Sequence, residues 1–437
     1  MSDVVRTSTR TGLTWRRTPV IATGLAGAAL LAAVGLAFSR PDVIAIGLPL
    51  ALTTTWMLLG RPRDADMIVE LRARSDVGAE SPAVLADVDV RGVADWVQVA
   101  IDQDERRTGT ADVRPGASVI TARTLLQHSG PEELLAVIAR GVAFDGAWTS
   151  DIGPRSTVVW NAAPRARRLE RLPVAPRLTG LTGAHAGSRP GQGGDFRDIH
   201  PFAPGDELRR VDWRATARSA RQPGDLLVRR TDNLSDSAVV IAVDTSEDLG
   251  AVVASWGADD PDRSGITSLD LAREAALSIA TAAVESGDPV AYHALAPDGR
   301  SVASGGGARH LARLRGVIAA TGPGGSDSRY RRTPAVPSGS IVFVLSTFFD
   351  GAAADLATRW RAAGHAVVAV DVLPEPDASR LTREQQVALR MLLAERSDIL
   401  VELRRAGLEV ISWADGDVDA AMLLAVRRQQ RARPVRR

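Results

Sequence analysis

Hydrophobic and polar positions repeat with different periods along this chain, and each change of period marks a new part. Residues 19–38 are apolar, with no charge among them. At about 1.5 Å per helical residue, such a run matches a bilayer core about 30 Å thick. A second uncharged run, residues 43–59, follows after only Ser39-Arg40-Pro41-Asp42. Together they predict a transmembrane hairpin over residues 19–63. Arg6, Arg10, Arg16 and Arg17 precede the two apolar runs, and Arg61 and Arg63 follow them. The positive-inside rule then places both ends and the remaining chain in the cytoplasm, with residues 1–18 as a cytoplasmic N-terminus. That describes a multi-pass protein of the cell's inner (plasma) membrane. An export signal led by Arg16-Arg17 is the competing expectation, but it leaves the second run unexplained. Gly24, Gly27, Ala28 and Gly35 would let the two helices approach closely.

From Asp64 the period shortens to two. Val69, Leu71 and Ala73 alternate with Glu70, Arg72 and Arg74, and Val97, Val99 and Ile101 with Gln98, Ala100 and Asp102. Short alternating runs broken by Gly, Pro and Asp predict a small β-rich, sandwich-like domain over residues 64–165. Within it, residues 131–140 read as a short helix and His128 as a surface or turn residue. Residues 166–236 form a connector and motif segment, Arg-, Pro- and Gly-rich at first. Pro204-Gly205 marks a turn, and Asp206 is placed to cap a helix whose one face carries Leu208, Val211 and Ala215. Asp212 would pair with an arginine on that helix, Trp213 would anchor a core or meet a partner, and residues 226–230 read as a strand.

From Ser237 onward the pattern alternates again, now between strands and helices. Strands are expected at 238–244, 289–295, 340–346, 367–372 and 408–413. Helices are expected at 269–285, 308–319, 352–363, about 382–405 and 418–428. Near-continuous apolar strands between helices predict a doubly wound, mostly parallel α/β sheet over residues 237–430, covered on both faces. Residues 431–437 read as a basic, disordered tail.

Composition narrows the chemistry. The 437 residues include no cysteine and no lysine, which excludes disulfides, thiolate catalysis, Schiff bases and the phosphate-loop lysine. A net charge of +1 gives no reason to expect a nucleic-acid partner. In parallel α/β sheets, ligands bind beyond the carboxyl ends of the strands. Two such ends carry oxygen donors, Asp244-Thr245-Ser246-Glu247-Asp248 and Ser346-Thr347-Phe348-Phe349-Asp350. Carboxylates and hydroxyls converging there suit a hard divalent cation, Mg²⁺ with retained waters. Buried without partners, Asp244 would be costly, so a metal, backbone N–H groups or an arginine must compensate it. Gly305-Gly306-Gly307 reads as a strand-to-helix connection, and Gly191-x-Gly193-Gly194 does not follow a strand into a helix. His185, His200, His293, His310 and His365 lack metal-ligand spacing.

The alternation, with Asp244-x-Ser246 closing the first strand, resembles a von Willebrand factor A-like domain. Gly205-Asp206-x-x-Arg209-x-Val211-Asp212-Trp213-x-x-x-Ala217-Arg218 just ahead of it narrows the likeness. The chain resembles the bacterial family catalogued as domain of unknown function 58, from the hairpin through the C-terminal domain. That resemblance implies a membrane-mounted, cytoplasm-facing protein working alongside a MoxR-type AAA+ ATPase in protein maturation or complex assembly. It also implies a metal motif of the form Asp-x-Ser-x-Ser with a later threonine and aspartate. Asp244 and Ser246 match it, but Asp248 stands where the second serine belongs. Thr347 occupies the place of the later aspartate, with Asp350 three residues on. Either Asp248 restores the missing charge or the cation has been lost. The expected function is a non-enzymatic adaptor or scaffold that binds other proteins, with Gly205, Asp206, Arg209, Asp212, Trp213 and Arg218 organising the partner surface. The rivals are a metal-dependent hydrolase using the same crevice and an exported surface adhesin.

Overall fold

A computed structural model of the chain describes residues 4–76, 82–103, 107–117, 119–173, 185–204, 206–219, 225–235, 237–256, 265–297, 299–324 and 333–432. It divides into two compact units. The first comprises Met1–Gln127 and Pro131–Trp160, and the second His128–Gly130 and Asn161–Arg437.

The first unit opens with β1 (Val4–Gly12) and β2 (Trp15–Arg17), followed by α1 (Pro19–Ala37) and α2 (Pro41–Leu59). The strands β3 (Asp66–Ser75), β4 (Ala83–Arg91), β5 (Trp96–Gln103), β6 (Arg107–Val113), β7 (Val119–Leu125), β8 (Gly130–Ala143), β9 (Trp148–Ser150) and β10 (Ser156–Ala162) complete it. They form two sheets, in the orders β1-β3-β4-β7 and β2-β9-β8-β5-β6, with β10 beside β8. Alternation does the sorting. Met67, Val69, Leu71 and Ala73 of β3 are buried while Asp66, Ile68, Glu70 and Arg72 are less so.

Two expectations fail in this unit. Residues 131–140 are not helical but lie within β8, where Leu134 to Val137 are all buried. A strand covered on both faces loses its alternation, so the helix and strand patterns become indistinguishable. Residues 1–18 are not a separate N-terminal segment either. Thr7 pairs opposite Leu71 and Arg16 opposite Thr149, so the segment supplies strands to both sheets.

Both α1 and α2 have 19 residues and are long and apolar enough to cross a membrane. Gly24 faces Thr54 and Gly35 faces Ile44 so tightly that a Cβ at either glycine would collide with its neighbour. Away from this seam Leu30, Leu52 and Trp56 are exposed. The free ends of the two helices lie together at the β-rich module. The Thr18 N–H donates to Ala147 O at 3.0 Å, and the Trp148 Nε1–H donates to Met57 O at 2.8 Å.

In the second unit β11 (His185–Pro201) pairs with β12 (Leu227–Ser235) as a bulged antiparallel ribbon, with α3 (Trp213–Ser219) between them. Within the expected connector and motif segment, residues 185–201 and 227–235 are strand, and residues 174–184 lie outside the described residues. The remaining elements are β13 (Val239–Asp244), α4 (Ser268–Glu285), β14 (Val290–Leu295), β15 (Ser301–Gly305), α5 (Gly307–Ala319), β16 (Ile341–Ser346), α6 (Ala352–Ala362), β17 (Ala366–Asp371), α7 (Arg383–Arg405), β18 (Glu409–Ser412) and α8 (Val418–Ala432). Their sheet runs β15-β14-β13-β16-β17-β18, parallel except for β15.

The sheet is covered on both faces, as expected. Val239, Ile241 and Val243 pack with α4, α5 and α8, whereas Val240 and Ala242 pack with α6 and α7. β15 is an addition that the sequence did not suggest; its Ser301-Val302-Ala303-Ser304-Gly305 has only one buried residue, Val302. Of the expected tail, Arg431 and Ala432 still belong to α8, and residues 433–437 lie outside the described residues.

Candidate functional site

The carboxyl ends of β13 and β16 are neighbours in the sheet, and the chain leaves them in opposite directions, toward β14 and toward β17. Divergence of this kind opens the crevice where open α/β sheets bind ligands. Asp244 closes β13 there and is only 6% exposed. A carboxylate so buried needs donors. Its Oδ1 accepts from the Ser246 N–H at 3.1 Å and the Ser246 hydroxyl at 2.8 Å, and its Oδ2 accepts from the Ser346 hydroxyl at 2.7 Å. Ser346 Oγ in turn accepts from the Phe348 N–H at 2.9 Å. Phe348 is fully buried and has φ 58°, a left-handed conformation unusual for an aromatic residue. The serine thus ties the first strand end to the strained turn after β16.

Thr347 is held by a different carboxylate. Its hydroxyl donates to Glu247 Oε2 at 2.9 Å. Burial pushes the Glu247 carboxyl above the usual range, the Thr347 hydroxyl pulls it back, and Asp350 and Asp244 add to the rise. Burial likewise raises Asp350, reinforced by Asp244 and opposed by the N–H groups at the start of α6. One of those, Ala352 N–H, donates to Asp350 Oδ1 at 3.0 Å. Asp248 turns the other way, its Oδ1 accepting from the Leu269 N–H of α4 at 3.2 Å.

The expected set of Asp244, Ser246, Asp248, Thr347 and Asp350 is therefore only partly assembled. Asp244 and Ser246 touch, and Thr347 and Asp350 flank them. Asp248 is engaged by helix backbone. Ser346 and Glu247 belong to the two donor-bearing strand ends but lie outside the expected set. Register carried the signal for Ser346, because Val243 lies opposite Leu345 and places the next residues, Asp244 and Ser346, side by side. Among the described residues, no three or more His, Asp or Glu side chains are grouped to hold a metal ion. The donor set suits a hard cation taken through hydroxyls, water and few carboxylates rather than a carboxylate cage.

One arginine braces this end of the sheet. The Arg396 Nε–H of α7 donates to Thr347 O at 2.6 Å, and its guanidinium pairs with Asp371 at the end of β17. Burial raises the Asp371 carboxyl despite that partner. Arg396 also lies over Phe349, 5.4 Å from the ring centroid, and Phe349 meets Trp256 edge-on at 5.8 Å.

Close by, Thr267 and Asp270 form a capping box at the start of α4. Asp270 Oδ2 lies 2.7 Å from His128 Nδ1, and Oδ1 accepts from the Ser129 N–H at 2.8 Å and the Ser129 hydroxyl at 2.9 Å. Burial opposes ionisation of Asp270, but these partners, His128 foremost, hold its carboxyl below the usual range. His128 thus sits in a bend, as a turn residue would, and is also a partner of a helix cap.

The motif segment departs from the expected single helix. A 3₁₀ turn at Leu208–Arg210 gives way to extended Val211, bridged to Val228, before α3 begins. Asp212, rather than Asp206, caps α3, its Oδ1 accepting from the Ala215 N–H at 2.9 Å. Asp206 instead closes its own turn, accepting from the Ala203 N–H at 2.8 Å, with His200 Nε2 3.4 Å away. Aspartate favours caps over helix interiors, which is why Asp212 breaks the pattern. Trp213 is 67% exposed and Leu208 66%, so neither is a core anchor. Arg209 pairs with Glu207, and Arg218 stands exposed in the last turn of α3. Gly205 lies outside the described residues.

Against known proteins, the family model "Protein of unknown function DUF58" matches residues 198–391. That span runs from the end of β11 into α7 and takes in the motif of residues 205–218 and the whole crevice. No curated protein and no solved structure matches the chain.

Proposed function

We propose that this chain is a membrane-anchored adaptor whose C-terminal unit is a von Willebrand factor A-like protein-binding domain facing the cytoplasm. The observation that carries the reading is the crevice itself: Asp244 clasped by Ser246 and Ser346, with Thr347, Glu247 and Asp350 around it, at the divergence point of the sheet. A central first strand ending in Asp-x-Ser and an antiparallel edge strand after the second support the A-like assignment. Exposed Trp213 and Leu208 on the motif segment supply a surface a partner would cover, since aromatic and arginine side chains dominate binding hot spots. The partner we propose is a MoxR-type AAA+ ATPase acting in protein maturation or complex assembly. Asp244, Ser246 and Thr347 would hold Mg²⁺, which would supply positive charge at the crevice to attract an acidic partner.

The test is capture with the full-length chain from detergent-solubilised membranes, with and without Mg²⁺ and ATP. Recovery of an AAA+ ATPase, lost in Trp213→Ala and weakened in Asp244→Ala, is the expected result. Hydrolytic turnover that vanishes in Asp244→Ala while partner binding survives would replace the adaptor with a metal-dependent hydrolase.

A further inference from the structure

The hairpin end of the first unit carries a second surface, distinct from the crevice and the motif segment. Pairing in the sheets brings several connections to this end: Gly12 lies opposite Asp66, Ile68 opposite Arg91, and Trp96 opposite Val142. The turn between β8 and β9 is tied directly to the helices. The Thr18 hydroxyl donates to Gly146 O at 2.6 Å, the Trp148 Nε1–H donates to Met57 O at 2.8 Å, and Phe144 packs against Gly60. A module fastened this way to both helix ends has a fixed height above any bilayer the helices cross.

Two arginines at this end lie over indoles, and among the described residues neither is paired with a carboxylate. Arg17 lies 5.5 Å from the Trp148 centroid and Arg114 lies 4.6 Å from that of Trp96. Their neighbours Arg16 and Arg61 are instead paired with Asp151 and Asp64. A guanidinium stacked on a ring keeps its N–H edge available for a phosphate; the partly exposed Trp96 indole also suits the headgroup level of a membrane, while the buried Trp148 ring serves only as the platform for Arg17. Val93, 60% exposed on the connection between β4 and β5, adds an apolar tip beside them.

We propose that this end is a lipid-binding collar in which the Arg17–Trp148 and Arg114–Trp96 pairs engage the phosphodiesters of membrane headgroups and Val93 dips among them. The partner is lipid because the surface is continuous with helices that are themselves long and apolar enough to span a bilayer. The proposal rests on the membrane-anchor reading, and its test separates the two.

The chain lacks cysteine, so single labels can be placed at will. Full-length Val93→Cys, Leu125→Cys and Leu30→Cys, each carrying an environment-sensitive fluorophore, are reconstituted in phosphatidylglycerol-containing nanodiscs. Lipids bearing a spin label at the headgroup or in mid-chain serve as quenchers. Leu125 is exposed at the opposite end of β7, about 20 Å along the strand from Val119. The headgroup quencher should act on the Val93 label and spare the Leu125 label, while the mid-chain quencher acts on Leu30. Arg114→Gln, alone and with Arg17→Gln, should reduce quenching at Val93 by about half or more. Arg114 is exposed, so the single variant keeps the test independent of folding effects at Trp148. A Leu30 label untouched by the mid-chain quencher would overturn the anchor reading. A quenched Leu30 label with Val93 behaving like Leu125, or with quenching at Val93 indifferent to Arg114→Gln, would overturn the collar alone.

Discussion

Ser346 has the smallest side chain in the crevice apart from Ser246, yet it holds two strand ends together. Its hydroxyl gives a hydrogen bond to Asp244 and receives one from Phe348, and the residue is 1% exposed. Ser346→Ala leaves a buried carboxylate oxygen and a buried N–H short of a partner each. A loss of about 1–3 kcal/mol is expected, read from the unfolding transition of the second unit. Glu247 gives a pH-dependent counterpart. Its pKa is raised on folding by burial, so its contribution to stability is complete below the ordinary glutamate range and fades as pH rises through the raised value. Glu247→Gln should therefore flatten the decline in melting temperature between acid and neutral pH. Added Mg²⁺ should do the same in the unmutated chain if the crevice takes the cation. At this scale the sequence was half legible. Asp244 and Ser246 stand out because they share one strand end, and their contact follows from chain adjacency. Ser346 and Glu247 depend on the register between β13 and β16, which a single sequence leaves open until the strands are aligned.

Among the elements, those with a full period declared themselves and those between two environments did not. α7 and α4 open on Thr382 and Thr267 with complete capping boxes, and both helices lie where the apolar spacing put them. β8 was misread because its central residues are buried on both faces, and the motif helix because Asp212 caps a new start instead of continuing the old turn. α7 also has a task that its amphipathic pattern does not reveal. Arg396 joins the Asp371 carboxylate to the carbonyl of Thr347, bracing β17 against the turn that carries Phe348 and Phe349. The side chains of Arg396 and Asp371 are only 10% and 12% exposed. Arg396→Met strands a buried carboxylate and should cost about 3–5 kcal/mol in denaturant unfolding. Adding Asp371→Asn should return part of that loss, because the stranded charge and not the missing packing is the larger penalty.

At the scale of the chain, the hairpin interrupts a folded body rather than preceding one. Residues before α1 and after α2 share the same two sheets, so β1 lies against β3 and β2 against β9. Residues 1–18 read in the sequence as a cytoplasmic N-terminus preceding the helices, and Thr7 to Thr11 hold no apolar residue that announces a strand. Burial tells otherwise: Leu13 is 3% and Trp15 8% exposed, and the Trp15 Nε1–H donates to Arg63 O at 3.1 Å, across the hairpin in sequence. A free lead-in would tolerate the loss of either side chain. Trp15→Ala should instead cost the first unit about 3–5 kcal/mol, and Trp15→Phe, which keeps most of the buried area but not the donor, clearly less. The measurement is limited proteolysis of full-length protein in detergent. Cleavage within residues 64–160 should accelerate in Trp15→Ala while the α/β sheet of residues 239–412 keeps its resistance. If Trp15→Ala left the β-rich module intact, residues 1–18 would be no part of that module's core.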